Sequence, residues 1–163
     1  MTHSPPLAAR NAEEQARLDA ALIDLFERRI TFNQTLGLKI TSVTPGDVRA
    51  RLSMRPELVG HFLYGRLHGG VTSAVLDALG GLALMVAIAQ HFPHDNTLQV
   101  MHRFGRMGTI DLRVDYLRQG MGQHFDASAE VTRLGGRIGN TQMRLLNDQG
   151  TLIATGAAAY VVA

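Results

Sequence analysis

Between Gly69 and Ala89 the chain carries one charged residue, Asp77, and only two other polar side chains, Thr72 and Ser73. A helix this apolar has no face for water, so the rest of the chain has to wrap it. The run approaches the length of a membrane span. Asp77 near its middle and the small residues Gly80 and Gly81 favour a helix buried inside protein. A carboxylate in such a segment is costly unless it is paired, hydrated or used in chemistry. One wet aspartate on a core helix is the plain alternative.

The flanking segments supply the wrapping. Asn11 to Ile30 reads as an amphipathic helix, with Leu18, Leu22, Leu25 and Phe26 at helical spacing, and Thr35-Leu36-Gly37 ends that region. The period then becomes two. Val48, Ala50, Leu52 and Met54 alternate with Arg49, Arg51 and Ser53, and Leu38 to Val43 is the hairpin partner across Pro45-Gly46-Asp47. After the apolar helix, Gln90 to Gly108 is an irregular connection with room for a short helix. Strands follow at Ile110–Tyr116, Phe125–Thr132, Ile138–Leu146 and Leu152–Val162, with turns at Gly135-Gly136 and Asn147-Asp148-Gln149-Gly150. Helix, two strands, buried helix, four strands predicts an α+β chain in which one antiparallel sheet wraps one long helix.

The length of 163 residues suits one domain, expected over 11–163 with 1–10 as a flexible N-terminus. A net charge of +2 is too small to argue for nucleic acid. Cysteine is absent, which removes thiol and zinc–thiolate chemistry and is compatible with the cytoplasm. The segment Met1 to Pro6 lacks the basic and apolar regions of a signal peptide.

His68-Gly69-Gly70 sits where the buried helix begins. The first N–H groups of a helix have no internal partner, and glycine lets a substrate approach them. With the helix dipole they form a site for developing negative charge, as acyl transfer requires. Asp77 is then a candidate to attack a carbonyl or to activate water. Ser73 and Gly81, four residues to either side, share its face: Ser73 as a hydrogen-bond partner, Gly81 as room for an acyl group. Close packing against the sheet is the alternative for Gly80-Gly81. Gly69 and Asp77 are about 12 Å apart along a helix, too far to serve one reacting group. If both act, the site combines Gly69 of one subunit with Asp77 of another, in an obligatory homodimer.

The pattern Leu67-His68-Gly69-Gly70-Val71 with Asp77, followed by Gly108-Thr109-Ile110-Asp111-Leu112-Arg113-Val114-Asp115-Tyr116, resembles the hotdog-fold thioesterases of the 4-hydroxybenzoyl-CoA thioesterase superfamily. It is most similar to the branch with the phenylacetate-pathway and bacterial medium- and long-chain acyl-CoA thioesterases. The resemblance runs from about Phe32 to Val162. It implies hydrolysis of acyl-CoA without metal or cofactor, in sites shared by a homodimer or a dimer of dimers. It implies Asp77 as nucleophile or general base, the Gly69 N–H as carbonyl donor, and His68 and Gly70 as shapers of the turn. It places pantetheine near Thr109 and the CoA phosphates near Arg133 and Arg137. Many relatives have Asn or Gln where this chain has Phe62. His61 is the nearest polar substitute, either positioning water or the thioester, or simply solvated.

Three other readings compete. His91-Phe92-Pro93 resembles a dehydratase turn but follows the central helix instead of preceding it. A non-catalytic acyl-CoA-binding module has the same fold but little use for Asp77. A metal site from His91, His94, Asp95 and His102 has permissive spacing. The aliphatic run around Leu79, Leu82, Ala83 and Met85, with no Trp, favours medium or long aliphatic acyl chains over aryl groups.

Overall fold

The computed structural model describes residues 9–163. In chain order the helices are α1 (Ala12–Asp24), α2 (Thr31–Leu36), α3 (Gly69–His91) and α4 (Thr97–Phe104). The strands are β1 (Lys39–Thr44), β2 (Asp47–Ser53), β3 (Val59–His61), β4 (Arg66–Leu67), β5 (Gly108–Tyr116), β6 (His124–Leu134), β7 (Ile138–Asn147) and β8 (Leu152–Val161). Six strands form one antiparallel sheet in the order β1-β2-β6-β7-β8-β5, and β3 and β4 pair as a separate hairpin. The sheet wraps α3, as expected for a hotdog fold.

Alternation decides which face meets the helix. Phe125, Ala127 and Ala129 of β6, Thr141, Met143 and Leu145 of β7, and Ala154, Ala158 and Tyr160 of β8 are buried at every second position. From Leu79 to Val86 every residue of α3 is buried. This helix is long and apolar enough to cross a membrane by composition, but here it forms the core under the sheet. Burying its leucines contributes about 1.5–3 kcal/mol each.

The N-terminal helix differs from expectation. Asn11 caps α1, its Oδ1 accepting from Glu14 N at 2.8 Å, but the helix does not run unbroken to Ile30. A π-helical turn occupies Leu25–Arg29, with the Ile30 N–H bonded to the Leu25 carbonyl at 3.0 Å. The wider turn carries Phe26 and Ile30 towards α3. The short α2 then ends at Gly37, whose φ of 73° is the left-handed cap that glycine adopts without strain. The connection after α3, expected to have room for a short helix, contains α4, which starts with a capping box between Asn96 and Gln99. The β3–β4 hairpin was not anticipated; two short strands leave almost no periodic signal.

One arginine ties the N-terminal segment to the far end of the core helix. The Arg10 guanidinium donates to the carbonyls of Phe92 and Asp95, each at 2.8 Å, and to that of Ala89. A cation there meets both the orphan carbonyls and the negative helix terminus. Arg10→Ala is expected to cost about 1–2 kcal/mol, seen as a Tm lowered by roughly 3–6 °C. An unchanged melting curve would show that water replaces the guanidinium at no cost.

Candidate active site

The start of α3 is built by its own N-cap. The His68 N–H bonds to the Leu58 carbonyl at 2.9 Å, and that of Leu67 to Gly120 at 2.8 Å, which fixes the chain's approach. The His68 carbonyl accepts from Val71 at 3.0 Å and from Thr72 at 3.1 Å. His68 Nδ1 accepts from Gly70 N at 2.9 Å, so the imidazole is unprotonated at that nitrogen. Of the first four N–H groups, only that of Gly69 has no partner among the described residues. Tyr116, at the end of β5, donates its hydroxyl to the Gly69 carbonyl at 2.8 Å. A Cβ on Gly69 would stand 3.3 Å from the Tyr116 ring, so there is little room for a side chain.

Two helical turns on, the half-buried Asp77 carboxylate accepts from Thr109 Oγ1 at 2.8 Å. The Asp77 carbonyl accepts from Tyr160 Oη, also at 2.8 Å. Burial, and after it the nearby Asp77 charge, pushes the Tyr160 hydroxyl far above the usual phenol range, so it remains a donor. Asp77 lies in the wall of a mostly apolar cavity of about 240 Å³, lined among others by Phe26, Ile30, Gly81, Phe104 and Tyr160.

The two central glycines have different surroundings. A Cβ on Gly80 would overlap Tyr160 Oη and stand 2.8 Å from Thr141 Oγ1, whereas one on Gly81 meets nothing closer than Tyr160 Cε1 at 3.9 Å. Gly80 therefore serves packing, and Gly81 leaves space beside Asp77.

Other predicted residues divide as follows. Ser73 does not bond to Asp77: its hydroxyl donates to the Gly70 carbonyl at 3.0 Å, the short backward bond a helical serine makes most easily. Thr109, expected beside the substrate, takes that place. Within the chain Gly69 and Asp77 stay two turns apart on α3. His61 is exposed on the β3–β4 hairpin, its ring stacked 5.7 Å from Phe62 and 4.8 Å from Tyr64. Arg133 and Arg137 are exposed beside the β6–β7 turn. That turn borders a second cavity of about 740 Å³, which Arg103 and Arg106 of the α4 region also line. Sequence reasoning missed Tyr116 and Tyr160. Each sat at an alternating strand position, where a tyrosine reads as ordinary packing.

Among the described residues, no group of three or more His, Cys, Asp or Glu is placed to hold a metal ion. Asp95 is engaged by Arg103 at 2.7 Å. His91 is the last residue of α3, at the opposite end from the Gly69 turn.

Residues 64–154 match the family model of the thioesterase superfamily. The chain is 32% identical over 139 residues to the medium/long-chain acyl-CoA thioesterase YigI of Escherichia coli and to that of Salmonella typhimurium, covering 85% of this chain and 90% of each relative. A Shewanella oneidensis crystal structure related to the thioesterase superfamily superimposes with a TM-score of 0.88 at 37% identity, over 94% of this chain and 100% of that one. The phenylacetic acid degradation protein PaaI of Thermus thermophilus shares the fold at a TM-score of 0.64 and 23% identity, over 82% of this chain and 99% of that one. The chain belongs to the thioesterase superfamily and is built on its hotdog fold.

Proposed function

We propose that the protein hydrolyses acyl-CoA thioesters of medium or long aliphatic chains, giving the free acid and CoA. The observation that carries this is a half-buried carboxylate, held by one threonine hydroxyl, in the wall of an apolar cavity. The similarity to YigI supports the substrate class. Asp77 takes a proton from the water that attacks the thioester carbon, or attacks that carbon itself and forms an acyl-aspartyl anhydride that water then hydrolyses to the free acid. The free Gly69 N–H receives the carbonyl oxygen as it gains charge, and the CoA sulfur leaves and takes up a proton. Arg133 and Arg137 meet the CoA phosphates; both are exposed, and neither forms an ion pair among the described residues.

The helix spacing requires Asp77 and Gly69 to come from different subunits, and β5 supplies a seam. It is an edge of the sheet, nine residues long, with Ile110 59% and Tyr116 55% exposed. The other edge, β1, is shorter, and its Lys39 is paired with Glu27. A long, unpaired edge invites a second strand. Pairing of two β5 strands around a two-fold axis through Leu112 sets Asp111 opposite Arg113 of the partner. An axis through Arg113 sets arginine against arginine, which is destabilising. The Leu112 axis lays the Tyr116 end of one β5 beside the Thr109 end of the other. Tyr116 holds Gly69 and Thr109 holds Asp77, so the two groups meet across the seam.

Free-thiol release from a panel of acyl-CoAs, acetyl to palmitoyl plus phenylacetyl and benzoyl, tests the activity. Turnover that peaks on aliphatic chains is expected. Saturable binding without turnover would make the protein a carrier or sensor. For the dimer, Leu112→Cys puts the chain's only thiol at the self-paired position. Oxidation should cross-link most of the protein, while Lys39→Cys on the opposite edge should not. Cross-linking at Lys39 alone would move the interface to β1.

A further inference from the structure

The β3–β4 hairpin ends in the most exposed apolar cluster among the described residues: Phe62 is 87% exposed, Leu63 66% and Tyr64 53%. The tip is braced without being buried. His61 stacks on Phe62 and leans on Tyr64, and the Arg66 guanidinium lies 4.3 Å over the Tyr64 ring. The N–H groups of Tyr64 and Gly65 both bond to the His61 carbonyl. A braced apolar tip of this kind, on a hairpin whose base at Arg66 and Leu67 adjoins the exposed Tyr116 and Leu117, is what a protein partner covers.

The cavity beside Asp77 has the complementary defect. At about 240 Å³ it falls below the roughly 300–1,000 Å³ usual for ligand pockets. It is open on the side where Thr109 and Phe32, 59% exposed, form its rim. The hairpin is anchored next to the Tyr116 end of β5, through the bond from Leu67 to Gly120. The two-fold axis at Leu112 carries that end to the Thr109 end of the partner, where the partner's cavity opens.

We infer that Phe62 and Leu63 of one subunit close the open side of the partner's cavity and set the length of acyl chain it accepts. The inference rests on the shared-site dimer proposed above.

The test compares kcat/KM for palmitoyl-CoA and octanoyl-CoA. In Phe62→Ala, and further in Phe62→Ala/Leu63→Ala, the palmitoyl-to-octanoyl ratio should rise at least about tenfold, the scale on which apolar pockets discriminate chain length. Phe62→Leu, which keeps most of the bulk, should stay near wild type. A heterodimer of Phe62→Ala with Asp77→Asn, purified through two different tags, then settles the geometry. Its one working carboxylate faces the intact tip of the other chain, so the ratio should return to the wild-type value. A ratio still shifted in the heterodimer would mean that the tip covers its own chain's cavity. An unshifted ratio in the homodimer would mean that it covers none. Either result overturns the inference. A monomeric wild type, or one silent on every acyl-CoA, would instead remove the reading on which it rests.

Discussion

Asp77→Asn should lower kcat on the best acyl-CoA by about 10²–10⁴-fold, the usual loss for a general base or nucleophile. The substitution keeps the volume, and the amide oxygen still accepts from the Thr109 hydroxyl, so the wall of the cavity survives. The Tyr160 bond goes to the Asp77 main chain and is untouched. KM and Tm should therefore remain close to wild type while turnover collapses. Thiol release and a melting curve on one preparation check both halves. Near-wild-type turnover would sink the proposed mechanism, and loss of the folded state would make the aspartate structural.

Gly80→Ala and Gly81→Ala should move stability in opposite directions. Alanine is better than glycine inside a helix by about 1 kcal/mol, and at Gly81 nothing opposes that gain, since the nearest atom to a new Cβ is 3.9 Å away. At Gly80 the methyl would overlap the Tyr160 hydroxyl and crowd Thr141, both anchored in the sheet. Overpacking of this kind costs about 1–3 kcal/mol, and losing the bond from Tyr160 to Asp77 adds about 1 kcal/mol. Gly80→Ala should thus be destabilised by about 1–3 kcal/mol net, and Gly81→Ala should melt no lower than wild type. Because Gly81 lines the cavity, its variant should nevertheless lose turnover on bulky acyl groups. Equal melting temperatures for the two would show that the sheet yields at Gly80.

Elements with a strong period were legible in the sequence. The alternation in β2 and β6 and the unbroken apolar run of α3 fixed the sheet and its helix to within a few residues. What escaped was set by contacts distant in sequence. Nothing local signals that a π-helical turn interrupts the N-terminal helix, because Phe26 and Ile30 turn towards a cavity that exists only once α3 is in place. In the site, the placement of His68 and Gly69 at the start of α3, with Asp77 two turns on, was readable from residue type and spacing. The partner of Asp77 was not. Ser73 and Thr109 are equally able donors, and only the fold places Thr109 32 positions away within reach.

The irregularity in β5 has a consequence for how the strand is used. Thr109 pairs with Tyr160 and Asp111 with Ala159, so Ile110 is an extra residue in the ladder. If the strand ran regularly through Ile110, Thr109 would share the outward phase of Asp111, Arg113 and Asp115, and its hydroxyl would point away from α3. One inserted residue thus changes the strand's facing part-way along: the later part keeps a charged outer row, and the first turns a hydroxyl inward to hold Asp77. Were Ile110 to take a regular place in the ladder, the edge would be smoother and Asp77 would lose the hydroxyl that steadies it.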